Sequence, residues 1–204
     1  STAGKPAPGS TTELAPLVGV DPAKFRCDSL LSEAQLADIA HGTVRVVEGS
    51  MPPPDGTAAP CTYIVESARG SGTTTSAWSF DIDCRNGARD RADALFTQYR
   101  ADSAMLVQAA AIENAKPRPK PAPGQPALPP PNPNAVALAT DVDVGARGLD
   151  HHGQALIFID DDAPCYVRVT GPDAVARKEL AEVLALALRP ATAPMSLRAA
   201  DPVP

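Results

Sequence analysis

Aromatic side chains make up only 4% of this 204-residue chain, with one Trp, three Tyr and four Phe. A core must use most of them, which leaves few to line a ligand site. Clustered Lys and Arg are also missing, and the formal charge of −6 argues against a nucleic-acid surface. No apolar run approaches the roughly 20 residues that a membrane-crossing helix needs. The opening Ser1-Thr2-Ala3-Gly4-Lys5-Pro6 has no signal-peptide apolar region, so an exported form would already have lost its signal. No Gly-x-Ser-x-Gly elbow supports a hydrolase. Gly70-Ser71-Gly72 lies between two strand-like segments and reads as a hairpin turn, not as the strand-to-helix loop that cradles nucleotide phosphates. No two cysteines stand close enough to form a zinc-ligand pair.

What the chain does have is four widely spaced cysteines, Cys27, Cys61, Cys84 and Cys165, each at the edge of a hydrophobic segment. An even count at such spacing reads as a disulfide framework in an oxidising compartment, with three connectivities open. Proline is abundant, at 23 residues. Residues 1–25 begin rich in Ser, Thr, Gly, Pro and Ala and read as a flexible tether, suited to a mature lipoprotein whose lipidated cysteine would precede Ser1. An ordinary frayed terminus is the plainer alternative. Residues 116–134 alternate proline with other residues and read as an extended linker of about 60 Å at about 3.1 Å per residue. A spacer is favoured there over a docking site for a polyproline-reading module. One α+β domain over 26–190, carrying this linker, and a flexible tail over 191–204 complete the expected organisation.

Ser32-Glu33-Ala34-Gln35 has capping-box spacing and predicts a helix over 32–40, with Leu36, Ile39 and Ala40 on one face, Leu31 over its entry and Gly42 ending it. Residues 43–48 and 61–67 are β-rich and flank the turn cluster Pro52-Pro53-Pro54-Asp55-Gly56, which predicts a hairpin with a long loop. From 76 to 84, Trp78, Phe80 and Ile82 alternate with Ser79, Asp81 and Asp83, the period of a strand with one buried face. A helix follows Asn86-Gly87 and runs to about Ala115, with Ala92, Leu95, Phe96 and Tyr99 on one stripe. The second half repeats this order: β-rich 136–144, strands at 155–159 and 165–170, and a helix over 172–188 with Val175, Leu180, Val183, Leu184, Ala187 and Leu188 as its stripe. These segments predict a largely antiparallel sheet of two β-β-α halves, with its helices on one face.

His151-His152, with Asp141, Asp143, Asp150 and the run Asp160-Asp161-Asp162, is the one cluster of metal-ligating types. Adjacent residues on extended chain point to opposite sides, and the Asp141-x-Asp143-x-Gly145 run lacks the glycine and glutamate that a calcium loop requires. Solvated turns explain these acids better, and no metal or other cofactor is expected. Trp78, Phe80, Leu95, Tyr99, Phe158, Tyr166 and Leu184 would form the walls of a cleft if the two halves closed around a small hydrophobic ligand, although core packing competes for the same side chains.

Cys27-Asp28-Ser29-Leu30-Leu31-Ser32-Glu33-Ala34-Gln35-Leu36, followed by Pro60-Cys61-Thr62-Tyr63, resembles the C-x-LL-[ST]-x-x-[DE]-[VL]…C-[TS]-[WY] pattern of small secreted lipoproteins of unknown function, best represented in actinobacteria. Residues 141–149, 154–159, 165–170 and 179–188 are similar, in order, to the later segments of that family. The proline insertion at 116–134 and the cysteines Cys84 and Cys165 depart from its pattern. The resemblance implies a PsbP-like fold and pairing of Cys27 with Cys61, which leaves Cys84 for Cys165. It also implies an extracytoplasmic, membrane-tethered module with no common catalytic set. The expectation is therefore a noncatalytic binding or accessory protein for a protein partner or a small hydrophobic ligand, touching a membrane only through an N-terminal lipid anchor. The competing expectation is a metal-binding protein or metal-dependent enzyme using His151, His152 and the acidic turns.

Overall fold

A computed structural model describes residues 19–47, 56–69, 72–116 and 138–195. The loop cluster at 52–55 and all of the proline-rich stretch except Lys116 lie outside them, as do residues 1–18 and 196–204. Seven strands form one sheet: β1 Thr43–Val46, β2 Cys61–Arg69, β3 Gly72–Asp83, β4 Ala139–Val142, β5 Arg147–His151, β6 Ala155–Ile159 and β7 Tyr166–Thr170. Their order is β1-β2-β3-β7-β6-β5-β4, with every neighbour antiparallel. Three helices pack against it: α1 Glu33–Ala40, α2 Ala88–Ala115 and α3 Ala174–Ala187. The chain is thus an α+β protein whose two halves meet where β3 pairs with β7.

The disulfides are Cys27–Cys61 and Cys84–Cys165. Cys84 and Cys165 continue the β3–β7 register one step beyond the pair Asp83 and Tyr166, so this bond clamps the seam between the halves. Cys27–Cys61 instead ties the segment before α1 to the first residue of β2.

The helices do not share one face of the sheet. Leu36 of α1 and Leu180 and Leu184 of α3 join Tyr63, Val65, Trp78, Phe80, Leu156, Phe158, Val167 and Val169 in the larger core. Ala92 and Phe96 of α2 pack instead with Leu149, Ile157 and Ile159. The cause lies in β6, Ala-Leu-Ile-Phe-Ile, which is buried at all five positions. Successive strand residues face opposite ways, so Leu156 and Phe158 require one cover and Ile157 and Ile159 another. α2 supplies the second cover over β4, β6 and β7. On the β2–β3 half the same face carries Thr62, Glu66, Thr75, Ser79 and Asp81.

Several local expectations shift. Ser32 and Gln35 form the reciprocal capping box. At the other end of α1, His41 takes the left-handed conformation at φ 49°, not Gly42. Gly42 is required for another reason, because a Cβ there would lie 2.5 Å from the Glu66 carbonyl oxygen of β2. β5 was not expected as a strand; Gly148 lies inside it, where a Cβ would meet the Val142 carbonyl at 2.9 Å. Val175 stands 67% exposed, off the buried stripe of α3.

The domain also extends past both expected boundaries. Val20 bridges Pro194 in parallel and donates to the Ala193 carbonyl at 2.9 Å. Phe25, Ala193 and Met195 pack in the larger core. Residues 19–25 and 191–195 therefore brace each other on the body of the domain.

Candidate ligand-binding site

The seven side chains expected to wall one cleft are divided by the sheet. Trp78, Phe80, Phe158 and Leu184 belong to the core under α1 and α3, none more than 2% exposed. Leu95, Tyr99 and Tyr166 border the smaller core under α2 on the opposite face. The Trp78 indole donates to the Ser76 hydroxyl at 2.9 Å and is satisfied locally. The reason is the strand period: Phe158 and Ile157 are neighbours in sequence but back to back in space. These residues build two cores and not a common cavity.

His151 and His152 also part company. His151 is buried under α2 with its ring 4.8 Å from that of Tyr99, and neither ring nitrogen has a hydrogen-bond partner among the described residues. His152 meets the Thr140 hydroxyl at 2.7 Å. Asp150, on the face opposite His151, accepts from Arg177 Nε at 2.7 Å and Nη2 at 3.0 Å, with both residues buried. Asp141 pairs with Arg100, and Asp162 with Arg189. Asp160 accepts backbone amides from Asp162 and Ala163 within its own turn. Among the described residues, no three His, Cys, Asp or Glu side chains gather around one point.

A groove lies elsewhere, at the disulfide Cys27–Cys61. That bond holds the segment entering α1 against β2 and the end of β1, enclosing a groove of about 430 Å³. Phe25, Leu31, Val46, Val47 and Pro60 supply apolar walls, while Glu33 and the ion pair of Arg26 with Asp28 at 2.8 Å add charged groups to the lining. Val46 and Val47 are each 36% exposed, so the apolar lining reaches solvent. This volume lies within the range of small-molecule sites.

Tyr63 of β2 closes the groove from the core side. Its ring stacks on Phe80 with centroids 6.3 Å apart, and the residue is 1% exposed. Its hydroxyl has no hydrogen-bond partner among the described residues. Burial, and then the negative charges of Asp28 and Glu33, push the phenol up to about 12. Tyr63 and those two acids all line the groove. A phenol held protonated in this way is a hydrogen-bond donor without an acceptor, a costly arrangement for a buried group. Phe25 and Tyr63 were missed as a pair by sequence reasoning because Phe25 fell in the expected tether. The signal was the bond between Cys27 and Cys61, which brings residues flanking both cysteines together.

No family model, curated protein or solved structure matches this chain. Two disulfides, together with the absence among the described residues of any helix long and apolar enough to cross a membrane, are compatible with an extracytoplasmic setting.

Proposed function

We propose that this protein is a noncatalytic, extracytoplasmic binding module, tethered to a membrane through its N-terminal segment, whose ligand occupies the groove over Tyr63. The observation that carries this reading is the buried Tyr63 hydroxyl, without a hydrogen-bond partner among the described residues, on a residue that lines a partly apolar groove. A ligand that fits has an apolar body for Phe25, Leu31, Val46 and Val47 and one acceptor oxygen for the phenol. Arg26 is paired with Asp28 at 2.8 Å, which leaves Glu33 as the uncompensated charge of the lining; it favours a neutral carbonyl or ether as the acceptor over a carboxylate.

Methyl octanoate, which joins an alkyl chain to a neutral carbonyl, is a suitable probe, with octanoate as its charged counterpart. In a titration followed by NMR, methyl octanoate should perturb the amides of Leu31, Val46 and Val47, and octanoate should bind more weakly. Tyr63→Phe should weaken the ester by about fivefold to tenfold, the loss expected for one hydrogen bond of about 1 kcal/mol. Equal binding of ester and carboxylate, or no effect of Tyr63→Phe, would contradict the reading.

A further inference from the structure

On the opposite face of the sheet, β3 and β7 bring together a second set of groups that the Tyr63 groove does not use. Asp81 lies directly across from Arg168, and Asp83 directly across from Tyr166. Opposed strand residues have Cβ atoms about 5 Å apart, close enough for opposite charges to pair. Asp83 behaves as expected for a buried carboxylate: it accepts from Arg85 at 2.7 and 2.9 Å and from Arg91 at 2.8 Å. Asp81 does not, since no hydrogen bond or ion pair joins it to Arg168 within 4.0 Å. The Tyr166 hydroxyl likewise has no hydrogen-bond partner among the described residues.

Asp81, Arg168 and Tyr166 line a cleft of about 330 Å³ together with the ion pair of Asp83 with Arg85 and with Thr57, Ala58 and Pro60. Burial raises the Asp81 carboxyl above its ordinary value, against the pull of Arg168 and with the help of Asp83. Such a carboxylate costs the fold stability, since a threonine at this position, as at 73 and 75 on the same strand face, would carry no such penalty. A separated carboxylate and guanidinium facing one small cleft form a receptor for a molecule with the complementary charges on one body. A carboxylate suits the forked donors of Arg168, and an ammonium suits Asp81.

We propose that this cleft binds a small zwitterion of the α-amino acid type, with its ammonium group on Asp81, its carboxylate on Arg168 and a hydrogen bond from the Tyr166 hydroxyl to the carboxylate. The site is independent of the Tyr63 groove, which lies on the other face of the sheet, and only Pro60 lines both.

The test uses the intact protein and L-alanine as probe, with N-acetyl-L-alanine and L-alanine methyl ester each lacking one charge. L-alanine should perturb the amides around Asp81 and Arg168, and each derivative should bind at least about tenfold more weakly, the scale of one lost charge-assisted hydrogen bond. Asp81→Asn and Arg168→Gln should each reproduce that loss, with the melting temperature and both disulfides verifying the fold. The derivatives probe the unaltered protein, so the comparison stands even where a variant is unstable. No perturbation at about 10 mM L-alanine, a concentration that saturates any site tighter than about 1 mM, would overturn the proposal. Equal binding of the derivatives, or full binding by both variants, would overturn it as well.

Discussion

Tyr63→Phe should make the ligand-free protein more stable, not less. The change keeps the ring that stacks on Phe80 at 6.3 Å and removes only a hydroxyl with no partner among the described residues. In the unfolded chain that hydroxyl is hydrated. Leaving it buried and unpaired costs about 1–3 kcal/mol, so its deletion should return roughly 1 kcal/mol after the groove relaxes. For a chain of this size that is a rise in melting temperature of about 2–4 °C. Alkaline pH gives a second handle. The folded phenol is held at about 12, above its ordinary value of 10. The unfolded form ionises first, so the unaltered protein keeps its stability below pH 10 and loses it as pH rises from there toward 12, while Tyr63→Phe does not. The gap between Tyr63→Phe and the unaltered protein should widen above pH 10. Calorimetry of both proteins with their disulfides intact, at pH 7 and at several values approaching 10.5, measures both effects. A loss of 1 kcal/mol or more in Tyr63→Phe at pH 7 would show that the hydroxyl is satisfied, and the reasoning from an orphan donor would fail.

Four further outcomes follow from the same geometry. Arg177→Met should destabilise by about 3–5 kcal/mol because it strands Asp150 as a buried charge, whereas adding Asp150→Leu should restore most of the loss, both read by urea denaturation. Asp83 would be pushed up by burial alone, but hydrogen bonds from Arg85 and Arg91 hold it well below the carboxylate range. Its stabilisation is present above about pH 4 and lost as pH falls, so Asp83→Asn should flatten the acid limb of the melting-temperature profile. Asp81 is shifted the other way, and Asp81→Asn should raise the melting temperature by a few degrees at pH 7 with the gain vanishing in acid, where the native carboxyl is also neutral. Replacing Cys84 and Cys165 by Ser should cost about 4 kcal/mol by freeing a loop of sequence separation 81, measured against the unaltered protein under nonreducing conditions.

The elements that follow a clear period were legible in the sequence. Trp78, Phe80 and Ile82 marked β3, Ser32 and Gln35 marked the start of α1, and Ala92 and Phe96 marked the buried side of α2. The side of the sheet on which α2 lies was not legible as read, yet β6 contained the information, because an apolar residue at every position demands a cover on both faces. β5 was obscured by Gly148, Asp150 and His151, none of them typical of strands. Gly148 is there for its close approach to Val142, and Asp150 is compensated by Arg177 from α3, a partner 27 residues away. The aromatic cleft failed because Leu95 and Tyr99 of α2, and Tyr166 by strand parity, serve the face of the sheet opposite Trp78, Phe80, Phe158 and Leu184. The Tyr63 groove depends on a long-range covalent link, and its walls come from segments that share no local pattern.

Native mass spectrometry of the protein isolated gently from its own host tests the binding reading most directly. The account predicts a population carrying one small, uncharged, carbonyl- or ether-bearing molecule, and a marked loss of that population in Tyr63→Phe at unchanged fold. The bare polypeptide mass alone in the unaltered protein, or the same occupancy in both proteins, would contradict it.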